Sequence, residues 1–263
     1  MNSSPVEIDS KVMRTGLRRA MSRNRDTLLC MLGPASIRFI GVGGLRMMVS
    51  WEHTLTGPAA PQFYVFPALV THLLTGPASE DLRHLTLSMA GKDVSLGMIN
   101  DYNQYQLRWR ADLRQFMTPP EFAQMLAVPK GMLTLNYLSL SDAAHQAVAN
   151  LVNMQSMQNV PPEKLAILID FSSSHLTLNG RTIIHGASGA FYFDPRLIIR
   201  ALEIVKANTL RVGMTLLPVG HRAVLTILAE QDNWRVQCAL LSIGAETQRL
   251  YPLPSEQLTA PPR

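Results

Sequence analysis

The chain has 263 residues, enough for two domains of ordinary size, each with its own core. Apolar residues make up 47% and charged ones 16%, which excludes a disordered chain, and no apolar run reaches the roughly 18 residues of a membrane-spanning helix. The N-terminal MNSSPVEIDSKVMRTGLRRA lacks the apolar core of a signal peptide, so the expected location is the cytoplasm.

The first predicted element is an amphipathic helix, IDSKVMRTGLRRAMSR, with Asp9 or Ser10 as cap. Val12, Met13, Leu17, Ala20 and Met21 share one side of it. A continuous apolar strand TLLCML follows, then ASIRFIGV, then GGLRMMVSW leaving a glycine turn. FYVFPALVTHLL at 63–74 comes next, with Pro67 in the first turn of a second helix, where a missing N–H costs nothing. Three alternating strands, HLTLSM, KDVSLGMI and YQLRWRADL, complete the unit.

RQFMTPPEFAQMLAVPKG, residues 114–131, contains Pro119, Pro120 and Pro129 and reads as a connector centred on 116–130. The same order then returns. LSLSDAAHQAVANLV predicts a helix capped by Ser141, with Ala144, Val148, Leu151 and Val152 inward. KLAILIDF, SHLTLNG and GRTIIHG match the early strands. FYFDPRLIIRAL at 191–202 repeats the Phe-Tyr-x-x-Pro start, and RVGMTLL, AVLTIL and WRVQCALL close the unit. Tyr105, Leu107 and Trp109 match Trp234, Val236 and Cys238 in the same two-residue rhythm. Two copies of one domain are expected, over 1–115 and 131–245, followed by a proline-rich, disordered tail over 246–263.

Catalytic chemistry finds no foothold in this sequence. The seven histidines lack metal-ligand spacing, and no carboxylates pair at a mechanistic spacing. GASGA at 186–190 is out of frame for a nucleophile elbow, and GVGG at 41–44 is a hairpin turn rather than a phosphate loop. Cys30 and Cys238 sit in strand runs as buried thiols. No catalytic residue, metal or cofactor is expected.

Charge points elsewhere. Lys11, Arg14, Arg18 and Arg25 recur at helical spacing opposite the apolar side, flanked by Arg19 and Arg23. The later helix adds Arg196, Arg200 and Lys206, whereas LSLSDAAHQAVANLV has no cation and carries Asp142. A solvated helix face is the plainer reading.

The duplicated unit of helix, strands, proline-started helix and strands resembles the DNA sliding clamp family, both bacterial β clamp and proliferating cell nuclear antigen. FYFDPRLIIRALEIVKANTLRVGM and its earlier twin look like the clamp's second helix and following strand. WRVQCALLSI looks like its closing strand, and GGLRM resembles its Gly-x-Arg-apolar turn. The resemblance implies an α+β fold of two tandem clamp-like domains, each with two helices packed on antiparallel sheet. It implies non-specific binding of double-stranded DNA as a processivity or docking factor, with Lys11, Arg14, Arg18, Arg25, Arg196, Arg200 and Lys206 as the candidate contacts to duplex phosphates, and partners such as a polymerase or clamp-binding peptides; no membrane is expected. Six domains make a clamp ring, so two-domain chains imply a homo-oligomer, a trimer. It also implies a peptide pocket from Gly44, Arg46 and Met47 of the turn with Leu240 and Leu241 of the closing strand, beside Met125 and Leu126. The rival expectation is a clamp-fold scaffold or regulator that no longer encircles DNA. A third is an unrelated duplicated α+β protein holding a small ligand between its halves.

Overall fold

The computed structural model describes residues 5–21, 28–42, 46–55, 62–111, 121–158, 167–172, 175–178, 181–184, 190–218 and 222–243. They form two compact units: Met1–Glu121 with Glu230–Gln237, and Phe122–Ala229 with Cys238–Arg263.

In the first unit β1 (Val6–Asp9) runs straight into α1 (Ser10–Ala20). Asp9 ends the strand and caps the helix, its carboxylate accepting from the Lys11 and Val12 amides at 2.8 and 3.0 Å. Met13, Gly16, Leu17 and Ala20 recur at helical spacing and are buried. The strands β2 (Leu28–Leu32), β3 (Ser36–Val42), β4 (Met47–Thr54) and β5 (Gln62–Phe66) pair antiparallel in the order β5-β2-β3-β4. After α2 (Ala68–Thr75) and a 3-10 turn at Pro77–Ser79 come β6 (His84–Ala90), β7 (Asp93–Ile99) and β8 (Gln104–Arg110). With β1 they form a sheet in the order β1-β6-β7-β8.

Aromatic rings join the layers of this unit. Phe39 lies 6.2 Å from Trp51 and 6.2 Å from Phe66, and Phe66 lies 5.3 Å from Trp109. The Trp109 indole N–H donates to the Val65 carbonyl at 2.6 Å, tying β8 to β5. The helix α1 presses close onto this layer. A Cβ on Gly16 would stand 2.3 Å from a Phe39 ring carbon, and one on Gly41 would stand 2.1 Å from the Ala20 carbonyl oxygen.

The second unit opens with the short α3 (Phe122–Leu126), then β9 (Leu133–Asn136) and α4 (Tyr137–Gln158). Next come β10 (Ile167–Ser172), β11 (His175–Leu178), β12 (Arg181–Ile184), β13 (Ala190–Phe193), α5 (Pro195–Val205), β14 (Thr209–Leu216), β15 (Ala223–Gln231) and β16 (Trp234–Leu241). From β9 onward the element order repeats that of the first unit, and so do the strand orders, β13-β10-β11-β12 and β9-β14-β15-β16. Cys30 and Cys238 are fully buried free thiols, and burial pushes both upward in pKa.

Residues Glu230–Gln237, the tip of the β15–β16 hairpin, count with the first unit, where β16 is hydrogen-bonded beside β4. The Thr54 amide donates to the Asn233 carbonyl at 2.9 Å. Arg38 donates to the Ser50 hydroxyl at 2.6 Å and to the Gln237 side-chain oxygen at 3.2 Å. Glu52 accepts from the Ser36 hydroxyl at 2.9 Å and pairs with Arg235. Burial alone would raise the Glu52 pKa, but hydrogen bonds from Arg235 and Ser36, with the charges of Arg235 and Arg38, hold it below the usual range.

Several sequence expectations change. Four strands were overlooked, β1, β5, β9 and β13, each of four or five residues abutting a helix. The Phe-Tyr pairs therefore lie on strands, not in helices: Tyr64 and Tyr192 face their cores on β5 and β13. Pro195 opens α5, whereas Pro67 caps α2. The Asn136 side chain caps α4 in place of Ser141, accepting from the Leu138 and Ser139 amides at 2.9 and 3.4 Å. Leu140, Ala143, Ala144 and Ala147 face inward, while Val152 is 49% exposed. Residues 116–120 of the connector, the tail, Arg25 and Gly44 lie outside the described residues.

Two outcomes test this packing. Gly16→Ala forces a methyl into Phe39 and Trp51 and is expected to lower stability by about 1–3 kcal/mol in denaturant titration. Glu52→Gln addresses the ion network. A depressed carboxylate pKa contributes stability that is full above the unfolded pKa and lost as pH falls through the folded one. The stability gap between wild type and Glu52→Gln is therefore expected to be widest near pH 7. It should close as the pH drops below about 4. A gap independent of pH would show that Glu52 acts only through packing.

Candidate nucleic-acid interface

The buried stripe of α1 dictates what its opposite face carries. Lys11 and Arg18 are exposed, and Arg14 and Arg19 are partly so. No acidic residue lies in this helix. Two of the cations also hold neighbouring backbone. Arg14 donates to the Ser10 carbonyl at 3.3 Å and to the Ser79 carbonyl at 2.9 Å. Arg18 donates twice to the Thr75 carbonyl, at 3.2 and 2.8 Å. Thr75 ends α2, so its carbonyl is one of those a helix leaves without an intrahelical donor. A carbonyl orients a guanidinium without cancelling its charge, so both arginines stay net positive while fixed in direction.

The cations of α5 have a different setting. Arg196 pairs with the capping Asp194 at 2.8 Å, and Arg200 pairs with Glu203 at 3.2 Å. Lys206 is exposed at the C-cap of α5. On α4 the outward side carries Leu138, Asp142, His145, Gln146 and Val152, with no lysine or arginine anywhere in the helix. On α2 it carries Leu69 and Leu73, exposed by 71% and 48%, with His72 between them. Sequence reading missed this apolar ridge because a short helix with apolar residues all round gives no inward direction.

Of the residues expected to line a peptide groove, Gly44 lies outside the described residues. Arg46 is exposed, but Met47 is 1% exposed in the first unit's core. Leu240 and Leu241 are 1% and 3% exposed in the second unit's core, and Met125 is fully buried. These apolar side chains are buried. Among the described residues no group of three His, Cys, Asp or Glu could hold a metal, and no helix is long and apolar enough to cross a membrane.

No protein-family model matches the sequence, and no curated protein does either. Solved structures do match. The DNA polymerase III β subunit of Thermotoga maritima superposes with a TM-score of 0.61 at 10% identity, over 91% of this chain and 65% of its own. The sliding clamp of Pseudomonas aeruginosa, solved with griselimycin, gives 0.63 at 12%, over 92% of this chain and 66% of its own. The β subunit of Streptococcus pyogenes DNA polymerase gives 0.61 at 12%, over 92% and 66%. The chain thus spans about two thirds of the length of the clamps it matches.

The two roles of the α1 arginines are separable by measurement. Replacing Arg14 and Arg18 by alanine is expected to lower stability by about 0.3–1 kcal/mol per lost carbonyl contact. Amide exchange over residues 71–79 should quicken with it. Lys11→Ala should change neither. Equal protection in all three proteins would mean that the arginine–carbonyl bonds do not hold α2.

With the strand orders, the helix pairs and these superpositions together, the chain has the DNA sliding-clamp fold, as a divergent α+β protein of two tandem clamp-like domains.

Proposed function

We propose that this protein is a sliding-clamp-like factor, non-catalytic and cytoplasmic, that surrounds duplex DNA and docks a polymerase or other clamp-binding peptides. The observation carrying this reading is the match to bacterial clamps over 92% of the chain. Topological retention is the physical logic: a ring needs only weak, sequence-independent phosphate contacts to stay on DNA and slide. The cation-only helix α1 supplies such contacts through Lys11, Arg14 and Arg18. Arg25, Arg196, Arg200 and Lys206 complete the proposed set.

The two units suggest how copies would join. Strand β8 ends one sheet of the first unit, and β12 ends one sheet of the second. Placing β8 of one copy beside β12 of the next would join copies head to tail. Three copies bring six domains together, and closure leaves neither edge exposed.

One observation favours the second reading, a clamp-fold scaffold that no longer encircles DNA. Helix α4 carries no cation, and Arg196 and Arg200 already face carboxylates.

Light scattering at micromolar protein and retention on plasmid DNA separate the two. The clamp reading expects a mass near three times the 29.1 kDa chain. It also expects retention on a circular plasmid that is lost on linearisation. A strict monomer, with equal retention on circle and line, would leave the scaffold.

A further inference from the structure

We infer that duplex phosphates are gripped chiefly by α1, and that α4 occupies the equivalent position as a face without cations. This rests on the clamp reading above, and it goes further by dividing the contact unequally between the two domains.

The correspondence of the helices comes from their own geometry. Each follows a four-residue strand whose last residue caps it, Asp9 before α1 and Asn136 before α4. Counting from the caps, buried Met13, Gly16, Leu17 and Ala20 fall on buried Leu140, Ala143, Ala144 and Ala147. Four coincidences in the inward stripe fix the rotational register of one helix on the other. The outward positions then correspond without further choice. Lys11 falls on Leu138, Arg14 on Ser141, Arg18 on His145 and Arg19 on Gln146. Every cation of α1 has an uncharged or weakly basic counterpart, and Thr15 falls on Asp142, which adds a negative charge.

The second helices do not make up the difference. Pro67 corresponds to Pro195, so Ala68 falls on Arg196 and His72 on Arg200. In α5 those two arginines each already face a carboxylate. Binding phosphate there means first giving up an ion pair, so each gains less than a cation with no acid beside it. Leu138 makes the asymmetry sharper, because its side chain is 66% exposed and apolar at the place where α1 presents Lys11.

The test uses the full-length protein and a mixed-sequence 30-base-pair duplex, with affinity measured by anisotropy across salt concentrations. Each phosphate contact contributes about 0.9 to the slope of log affinity against log salt. Lys11→Ala with Arg18→Ala is expected to reduce that slope by about 1.8. Arg196→Ala with Arg200→Ala should reduce it by less than 0.9, under one full contact. The decisive variant restores the missing charges: Leu138→Lys, Ser141→Arg and His145→Arg together should steepen the slope by about 0.9 for each cation that reaches phosphate. Should the Arg18 substitution disturb α2, Lys11→Glu alone carries the test. An acid in the first turn favours the helix, so lost binding would not reflect lost folding.

An α5 double variant as damaging as the α1 one would overturn the inference. So would a restored α4 with an unchanged slope, which would put that face away from DNA. A wild-type protein whose binding ignores salt would instead overturn the clamp reading itself.

Discussion

The closeness of α1 to the sheet beneath it governs most of what the first unit presents. Gly16 lies against Phe39 and Trp51, and the backbone of Ala20 meets Gly41, at separations that leave no room for a methyl. Such an approach allows the helix only one rotation about its axis, because any other would drive a larger side chain into the rings. Once the rotation is fixed, the period of 3.6 residues places Lys11, Arg14 and Arg18 outward. The charged face is a consequence of core packing. The second unit reaches the same arrangement by a gentler route, with Ala143, Ala144 and Ala147 inward on α4. Small residues inside hold each helix close, and the outer faces differ while the topology is the same.

The hairpin tip at Glu230–Gln237 is held by a different kind of interaction. Arg38, Glu52 and Arg235 are partly buried charges, and taking them from water is costly unless each finds partners. They find them in Ser36, Ser50 and Gln237 as well as in one another. A network of this type adds little net stability over an apolar packing of equal volume. It is strict about register, since a slip of β16 by one residue would turn Arg235 away from Glu52.

Much of this architecture could be read from the sequence. The long alternating strands β6 to β8 and β14 to β16 stood out, as did α1 with its capping aspartate. Proline at residue 195 marked the start of α5. The four overlooked strands share a physical reason: at four or five residues they complete barely two periods of alternation. Their pairing is also distant in sequence, as in Val6 opposite Leu87 and Leu133 opposite Val212. Tyr64 illustrates the ambiguity. In FYVFP it precedes a proline-started helix, and only the pairing of β5 with β2 opposite Cys30 shows it to be a strand residue. The interface residues divide along similar lines. Helical spacing alone placed the α1 cations on one outward face, because a solvated charged face is a local property. Met47, Leu240 and Leu241 could not be sorted into groove or core from sequence, because burial depends on what packs from elsewhere.

The partial loss of charge in the second unit bears on how such a protein would move on DNA. Phosphate contacts lower the energy of the bound state, but each one must break for the protein to advance, so a uniformly cationic lining would exchange mobility for grip. On the inference above, confining the strong contacts to α1 would keep attraction in one segment of each chain and would leave α4 little hold on phosphate. The arginines of α1 are themselves oriented by the carbonyls of Thr75 and Ser79, so less side-chain freedom would be lost on meeting a phosphate. Fewer contacts, each better prepared, can deliver the same residence as many loose ones. On this view the duplication supplied the scaffold for enclosure, and later divergence of the outward faces adjusted how tightly the enclosed duplex is held.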